Sequence, residues 1–200
     1  MTEPAARQLL DRPARRAAIL RAAAVAFAEK GFAATSMEDV AAAAGITKLI
    51  IYRHFDSKQA LYDAVLEQVA DRLRDEFLSG LDTGRTASTA VHALLAVARE
   101  DPAAFTLLWR HASREPRFAE HARAIRARGV NVAARVLEPV AFRSPEVRAW
   151  AAEMIVSYLV ESILQWLDAG DPSDDQTIAD YLTRSLPAMV TAWSAPVRSG

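Results

Sequence analysis

Between Thr35 and Thr47 the chain has room for one short helix and one tight turn. Thr35 and Glu38 match the T-x-x-E pattern of a capping box, in which a hydroxyl and an acid three residues later satisfy the free amides at a helix start. Met37, Val40, Ala41 and Ala44 give that helix its buried side, and Gly45 ends it. Thr47 then stands where it can cap a third, very short helix running to about His54. A corner this sharp commonly puts one residue at positive φ, which glycine reaches without a Cβ penalty. Two short helices joined by a Gly-containing turn of roughly 3–4 residues make a helix-turn-helix.

The flanks are helical too. Ile19, Ala22, Ala23, Ala26 and Phe27 form one apolar stripe on a helix from about Arg15 to Lys30, with Gly31 as a left-handed C′ residue. Asp56 and Gln59 read as a second capping box, opening a longer helix through Leu61, Val65, Val69 and Leu73. Further helical stretches fall at 86–100, 102–113, 116–137, 145–169 and 174–194, separated by Asp101-Pro102, Glu115-Pro116, Pro139, Ser144-Pro145 and Asp171-Pro172. Composition agrees, since alanine, the best helix former, occurs 42 times and glycine, among the worst, 7 times. The expectation is an all-α chain. Residues 1–60 form a three-helix helix-turn-helix domain with a short N-terminal arm, and residues 61–200 a larger helical domain.

The net charge of −1 conceals an asymmetry. Residues 1–60 hold nine Lys/Arg and six Asp/Glu, so +3, and the remainder 15 and 19, so −4. A basic head on an acidic body fits a polyanion partner at the head. Cysteine is absent, which excludes disulfides, thiolate zinc sites and thiol nucleophiles and suits a reducing, cytoplasmic setting. The longest charge-free runs, Thr86–Ala98 and Ser185–Val197, are 13 residues each, against about 20 for a membrane span. No Gly-rich phosphate loop, G-x-S-x-G or H-E-x-x-H occurs, so no catalytic residue, cofactor or metal is expected.

Residues 15–61 closely resemble the tetracycline-repressor-like (TetR) family of bacterial transcription regulators. The matching residues are Ile19, Ala22, Ala23, Phe27, Gly31 and Phe32, then Thr35-Ser36-Met37-x-Asp39-Val40-Ala41, then Ala44-Gly45-Ile46-Thr47. Ile51-Tyr52-Arg53-His54-Phe55-x-Ser57-Lys58-x-x-Leu61 completes the pattern. A helix-turn-helix lays its second helix in the major groove with N-terminal residues at base edges, which selects Thr47, Lys48, Leu49 and Ile50 as readers. Tyr52 and His54 resemble the family's phosphate-contacting pair. Lys58, near the next helix start, adds a cation, and Thr35 and Ser36 offer hydroxyls and amides as positioning contacts. Leu49 and Ile50 depart from the family, which places a small residue and then Thr or Ser there, and so shift readout toward thymine methyl contact. Arg12, Arg15 and Arg16 either reach the DNA backbone or are simply solvated.

The resemblance implies a homodimeric regulator, a repressor released from a palindromic double-stranded operator by a small-molecule effector bound in residues 61–200. Two other readings compete: a constitutive or activating DNA binder, and a helical small-molecule binding protein without operator function. The dimer surface is expected on the last two helices, at Met154, Ile155, Tyr158, Ser162, Trp166, Leu182 and Met189, which could equally be intramolecular core. Phe105, Leu108, Trp109 and Phe142 could line an effector cavity, with His111 as a polar anchor. Ordinary core packing is the competing account of the apolar four.

Overall fold

A computed structural model describes residues 11–80 and 86–194. The arm over residues 1–10 lies outside them. Every regular element among the described residues is helical. The chain forms two compact units that divide between Val65 and Leu66, inside a helix and not at its start.

In the first unit, α1 (Arg12–Ala34), α2 (Met37–Ala43), α3 (Lys48–Tyr52) and the first turns of α4 (Lys58–Gly80) enclose one core. Asp11 caps α1 by accepting from the Ala14 amide at 2.9 Å, and Pro13 sits in the first turn, where its missing N–H costs nothing. The helix therefore begins three residues before the expected start at Arg15. Ile19, Leu20, Ala23, Phe27, Val40, Ile51 and Leu61 are buried, and small alanines let the short helices approach closely. Tyr62 of α4 packs edge-on against Phe27 and Phe32, with ring centroids at 5.0 and 5.4 Å, a preferred aromatic geometry.

Gly31 interrupts α1 and does not terminate it. Its φ of 77° and ψ of 165° lie outside the left-handed helical basin, in a region essentially reserved for glycine. The kink lets Phe32 turn inward while Ala33 and Ala34 continue the chain. Thr35 follows as a buried residue whose hydroxyl donates to the carbonyls of Gly31 at 2.7 Å and Ala26 at 3.0 Å.

The second unit is built from α5 (Thr86–Glu100), α6 (Pro102–Thr106), α7 (Ala119–Val136), α8 (Pro145–Ala169) and α9 (Asp175–Ser194), with the remainder of α4. Its breaks fall at Pro-containing junctions, where Asp101 caps α6 and Ser144 caps α8 just before a first-turn proline. α8 packs against α5, α7 and α9. After α6 the backbone widens into a π-turn over Leu107–His111, then tightens into a 3₁₀ turn over Ala112–Arg114. The single helix expected at 102–113 is thus three conformations in succession.

Candidate nucleic-acid interface

The corner between α2 and α3 rests on Gly45, at φ +65°. Its amide donates to Ala42 O at 3.1 Å, and the next amide, of Ile46, to Ala41 O at 3.0 Å. Beyond the corner, Ile51 and Phe55 are buried and pin α3 to the core. Thr47, Lys48, Leu49 and Tyr52 are left facing solvent, with Ile50 and His54 half-buried. Leu49 is 64% exposed and Tyr52 43%. A five-residue helix that presents a leucine and a tyrosine to water has a surface unexplained by its own folding. The Thr47 hydroxyl makes no capping bond, so it too remains available.

Both helix caps lie one residue later than the sequence reading places them. Ser36, not Thr35, caps α2 by accepting from the Asp39 amide at 3.0 Å, and Asp39 in return accepts from the Ser36 amide at 2.8 Å. Ser57, not Asp56, caps α4 by accepting from Ala60 N–H at 3.0 Å. Two expected DNA contacts change meaning as a result. Thr35 offers no hydroxyl, because its own is buried and committed to backbone carbonyls. Ser36 offers neither free amide nor free hydroxyl, since Asp39 takes both. Lys30, then Ser36, hold the Asp39 carboxyl far below the usual range, so a fixed negative charge occupies the place where an incoming phosphate was expected.

Lys58 is also redirected. Its ammonium donates to Phe32 O at 2.7 Å and Thr35 O at 2.8 Å, with the Phe32 ring centroid 4.4 Å away. It closes the carbonyl end of α1. Lys48 is ion-paired with Glu38 of α2 and lies over the Tyr52 ring at 5.6 Å. Arg12, Arg16 and Arg53 add exposed positive charge to this unit. Burial, and then the positive charges of Arg12, Arg15 and Arg16, push the His54 imidazole below its ordinary pKa. Arg16 sits over the Phe55 ring at 5.1 Å, and Arg53 is exposed.

In the second unit, Phe105 and Trp109 meet with ring centroids 6.2 Å apart, but Phe105 and Leu108 are buried as core. Phe142 packs elsewhere, against Leu137, Ala151 and Ala152 with Ile155 and Trp193. His111 is exposed on the π-turn and lines no interior with the others. Trp109 stands apart, because its indole N–H is buried with no acceptor among the described residues. No group of three or more His, Asp or Glu side chains converges on a metal-like site among the described residues.

The expected dimer residues also divide. Leu182 is core, Tyr158 is hydrogen-bonded to Ser185 at 2.8 Å, and the Trp166 indole donates to Asp175 at 2.6 Å. These three serve the unit itself. Ile155, Ser162 and Met189 are half-buried, while Met154 is exposed. Trp150, one turn before Met154, and Tyr181 on α9 are exposed aromatics that the sequence reading missed. Trp150 stacks edge-on with Trp193 at 5.0 Å, so α8 and α9 share one apolar surface.

Residues 19–65 match the family model for bacterial regulatory proteins of the tetR family. The chain is 40% identical over 95 residues to the HTH-type transcriptional repressor KstR2 of Rhodococcus jostii, a segment covering 46% of this chain and 47% of that protein. It therefore spans about half the length of that relative. It is 29% identical over 184 residues to the HTH-type transcriptional activator FasR of Mycolicibacterium smegmatis, covering 86% of this chain and 80% of the other. A crystal structure of a TetR-like transcriptional regulator from Rhodococcus sp. RHA1 superposes with a TM-score of 0.75 at 24% identity, over 92% of this chain and 98% of that one. The glycine-cornered helix pair lies within the segment that matches the tetR family of bacterial regulatory proteins, and the all-α fold is one that a TetR-like regulator shares.

Proposed function

We propose that this chain is a homodimeric repressor that binds a palindromic operator through residues 1–60 and releases it when a small molecule occupies residues 61–200. The observation that carries the proposal is the exposed face of α3, where Thr47, Leu49 and Tyr52 stand free of the core, with Arg53 exposed at its end and Arg12 and Arg16 exposed on α1. The arginines supply the sequence-independent attraction to phosphate, and the helix face supplies base contact. Repression follows the description of KstR2.

Effector binding draws support from Trp109. A buried donor without an acceptor costs about 1–3 kcal/mol, and π-turns recur at functional sites. An effector carrying an acceptor oxygen would satisfy that N–H and bias the surrounding helices toward a state with mismatched half-site spacing.

The direct test is a mobility-shift assay on DNA upstream of the chain's own gene. A specific shift is expected, with a footprint of two half-sites separated by about 34 Å, one helical turn. No specific shift at low salt would sink the regulator reading. An activating role is the second reading, favoured by the long match to FasR; a promoter fusion that falls in activity when the gene is deleted would establish it.

The dimer has its own test. Trp150→Glu with Met154→Glu places charge on two exposed positions of the apolar surface that Trp150 shares with Trp193. Each is expected to weaken association by about 2 kcal/mol as a central apolar contact, so sedimentation should report monomer where the parent is dimer. An unchanged dimer would move the interface elsewhere.

A further inference from the structure

We propose that Glu38 sets the DNA selectivity of this chain by holding Lys48 away from phosphates, so that the lysine reads base edges without adding to the salt-dependent attraction. The inference rests on the regulator reading above. It starts from the three lysines of the chain, each of which already has a partner. Lys58 caps carbonyls of α1, Lys30 is paired with Asp39 at 2.8 Å, and Lys48 is paired with Glu38 across the α2–α3 corner. Only Lys48 lies on the exposed face of α3.

An ammonium has three donors and no acceptor. One donor of Lys48 goes to Glu38, and the Tyr52 ring supports the same ammonium at 5.6 Å. The remaining donors can reach the O6 and N7 acceptors of guanine without breaking the pair, because a base edge is dipolar and carries no net charge. A phosphate differs. Drawing Lys48 onto it would leave the Glu38 carboxylate unpaired against a polyanion, with Asp39 adjacent and also ionised. Pairing with Lys48 lowers the Glu38 carboxyl below its ordinary range, so the charge persists at physiological pH. Non-specific attraction then falls to the exposed arginines Arg12, Arg16 and Arg53, while the α3 face, with Leu49 exposed and Ile50 half-buried, reads bases. Division of this kind raises the ratio of specific to non-specific binding, which is the quantity that matters among many competing sites.

The test uses the full chain and two probes, a mixed-sequence duplex and sites enriched from a randomised duplex pool. Glu38 is exposed and Gln retains its length, so Glu38→Gln preserves the fold. It should bind the mixed-sequence duplex about 5-fold tighter at low salt, and its log–log salt dependence should steepen by about 0.9 per bound protomer, one new phosphate contact. Lys48→Met should leave the parent's salt slope unchanged while relaxing preference at one base position of the enriched site. In the Glu38→Gln, Lys48→Met double variant the added non-specific affinity should vanish. The proposal is overturned if Glu38→Gln matches the parent in affinity and slope, if its gain survives removal of Lys48, or if Lys48→Met alone flattens the slope. Failure of the parent to bind any duplex is a separate result, and would overturn the regulator reading first.

Discussion

Gly170→Ala is expected to destabilise the second unit by about 3 kcal/mol, through overpacking and a displaced hydrogen-bonded ring. Gly170 ends α8 with φ −94° and ψ 147°, a conformation open to any residue, so backbone freedom is not the reason for a glycine here. Space is. An added Cβ would run into the six-membered ring of Trp166, one turn back on the same helix. That ring cannot swing aside cheaply, because its N–H donates to Asp175 at 2.6 Å. Asp175 in turn accepts from Arg99 at 2.7 and 2.9 Å, so one carboxylate ties the end of α8 to the start of α9 and the end of α5. Moving the indole therefore loosens three helices together. Urea denaturation monitored by tryptophan fluorescence measures the cost, and Trp166→Leu introduced into the Gly170→Ala background should recover part of it. A loss below about 0.5 kcal/mol, the range of ordinary surface changes, would show that the indole is not pinned. Acid adds a second signature. Arg99, and then Trp166, hold the Asp175 carboxyl below its usual range. A depressed carboxylate contributes stability that is fully present above its unfolded pKa of about 3.9 and is lost as pH falls through the folded value. The gap between parent and variant should be largest near neutrality and narrow below about pH 4.

The helix pattern and the glycine corner were legible in the chain because each rests on local chemistry. Apolar spacing, Asp-Pro and Ser-Pro junctions and one glycine between two short helices leave few alternatives, and α5 and α8 fall where those signals put them. The caps were harder for a physical reason. Thr35-x-x-Glu38 and Ser36-x-x-Asp39 both satisfy the local pattern, and so compete on equal terms until the third dimension intervenes. The kink at Gly31 buries Thr35 and gives its hydroxyl two carbonyls, which leaves Ser36 at the helix start. The same limit applies to Lys48, whose partner sits ten residues away across a turn, and to Trp109, whose orphan N–H depends on where several helices happen to meet. Periodicity shows which face of a helix is apolar, but not whether that face meets its own chain or another. This is why Leu182 and Trp166 turned inward while Trp150 and Tyr181, unmarked by the stripe, remained outside.

Lys58→Met should cost the first unit about 2 kcal/mol, the usual weight of hydrogen bonds to a charged group, and leave the salt dependence of DNA binding untouched. The last carbonyls of a helix have no intrahelical donors, and here the kink at Gly31 adds to their number. Phe32 O and Thr35 O both point at the Lys58 ammonium, at 2.7 and 2.8 Å, with Ala33 O more distant at 3.4 Å. A cation at this end also complements the partial negative charge of the helix terminus. Methionine keeps the length of the stem and its contact with Phe32 but has nothing to donate. The α1 end should fray, and faster amide exchange at Thr35, whose N–H donates to Gly31 O at 3.3 Å, should reveal it. Phosphate contact predicts the opposite pair of results. Stability would be unchanged, and the log–log salt slope would fall by about 0.9 per protomer. The two accounts separate cleanly in one variant, since an ammonium whose donors are spent on three carbonyls has none left for the DNA backbone.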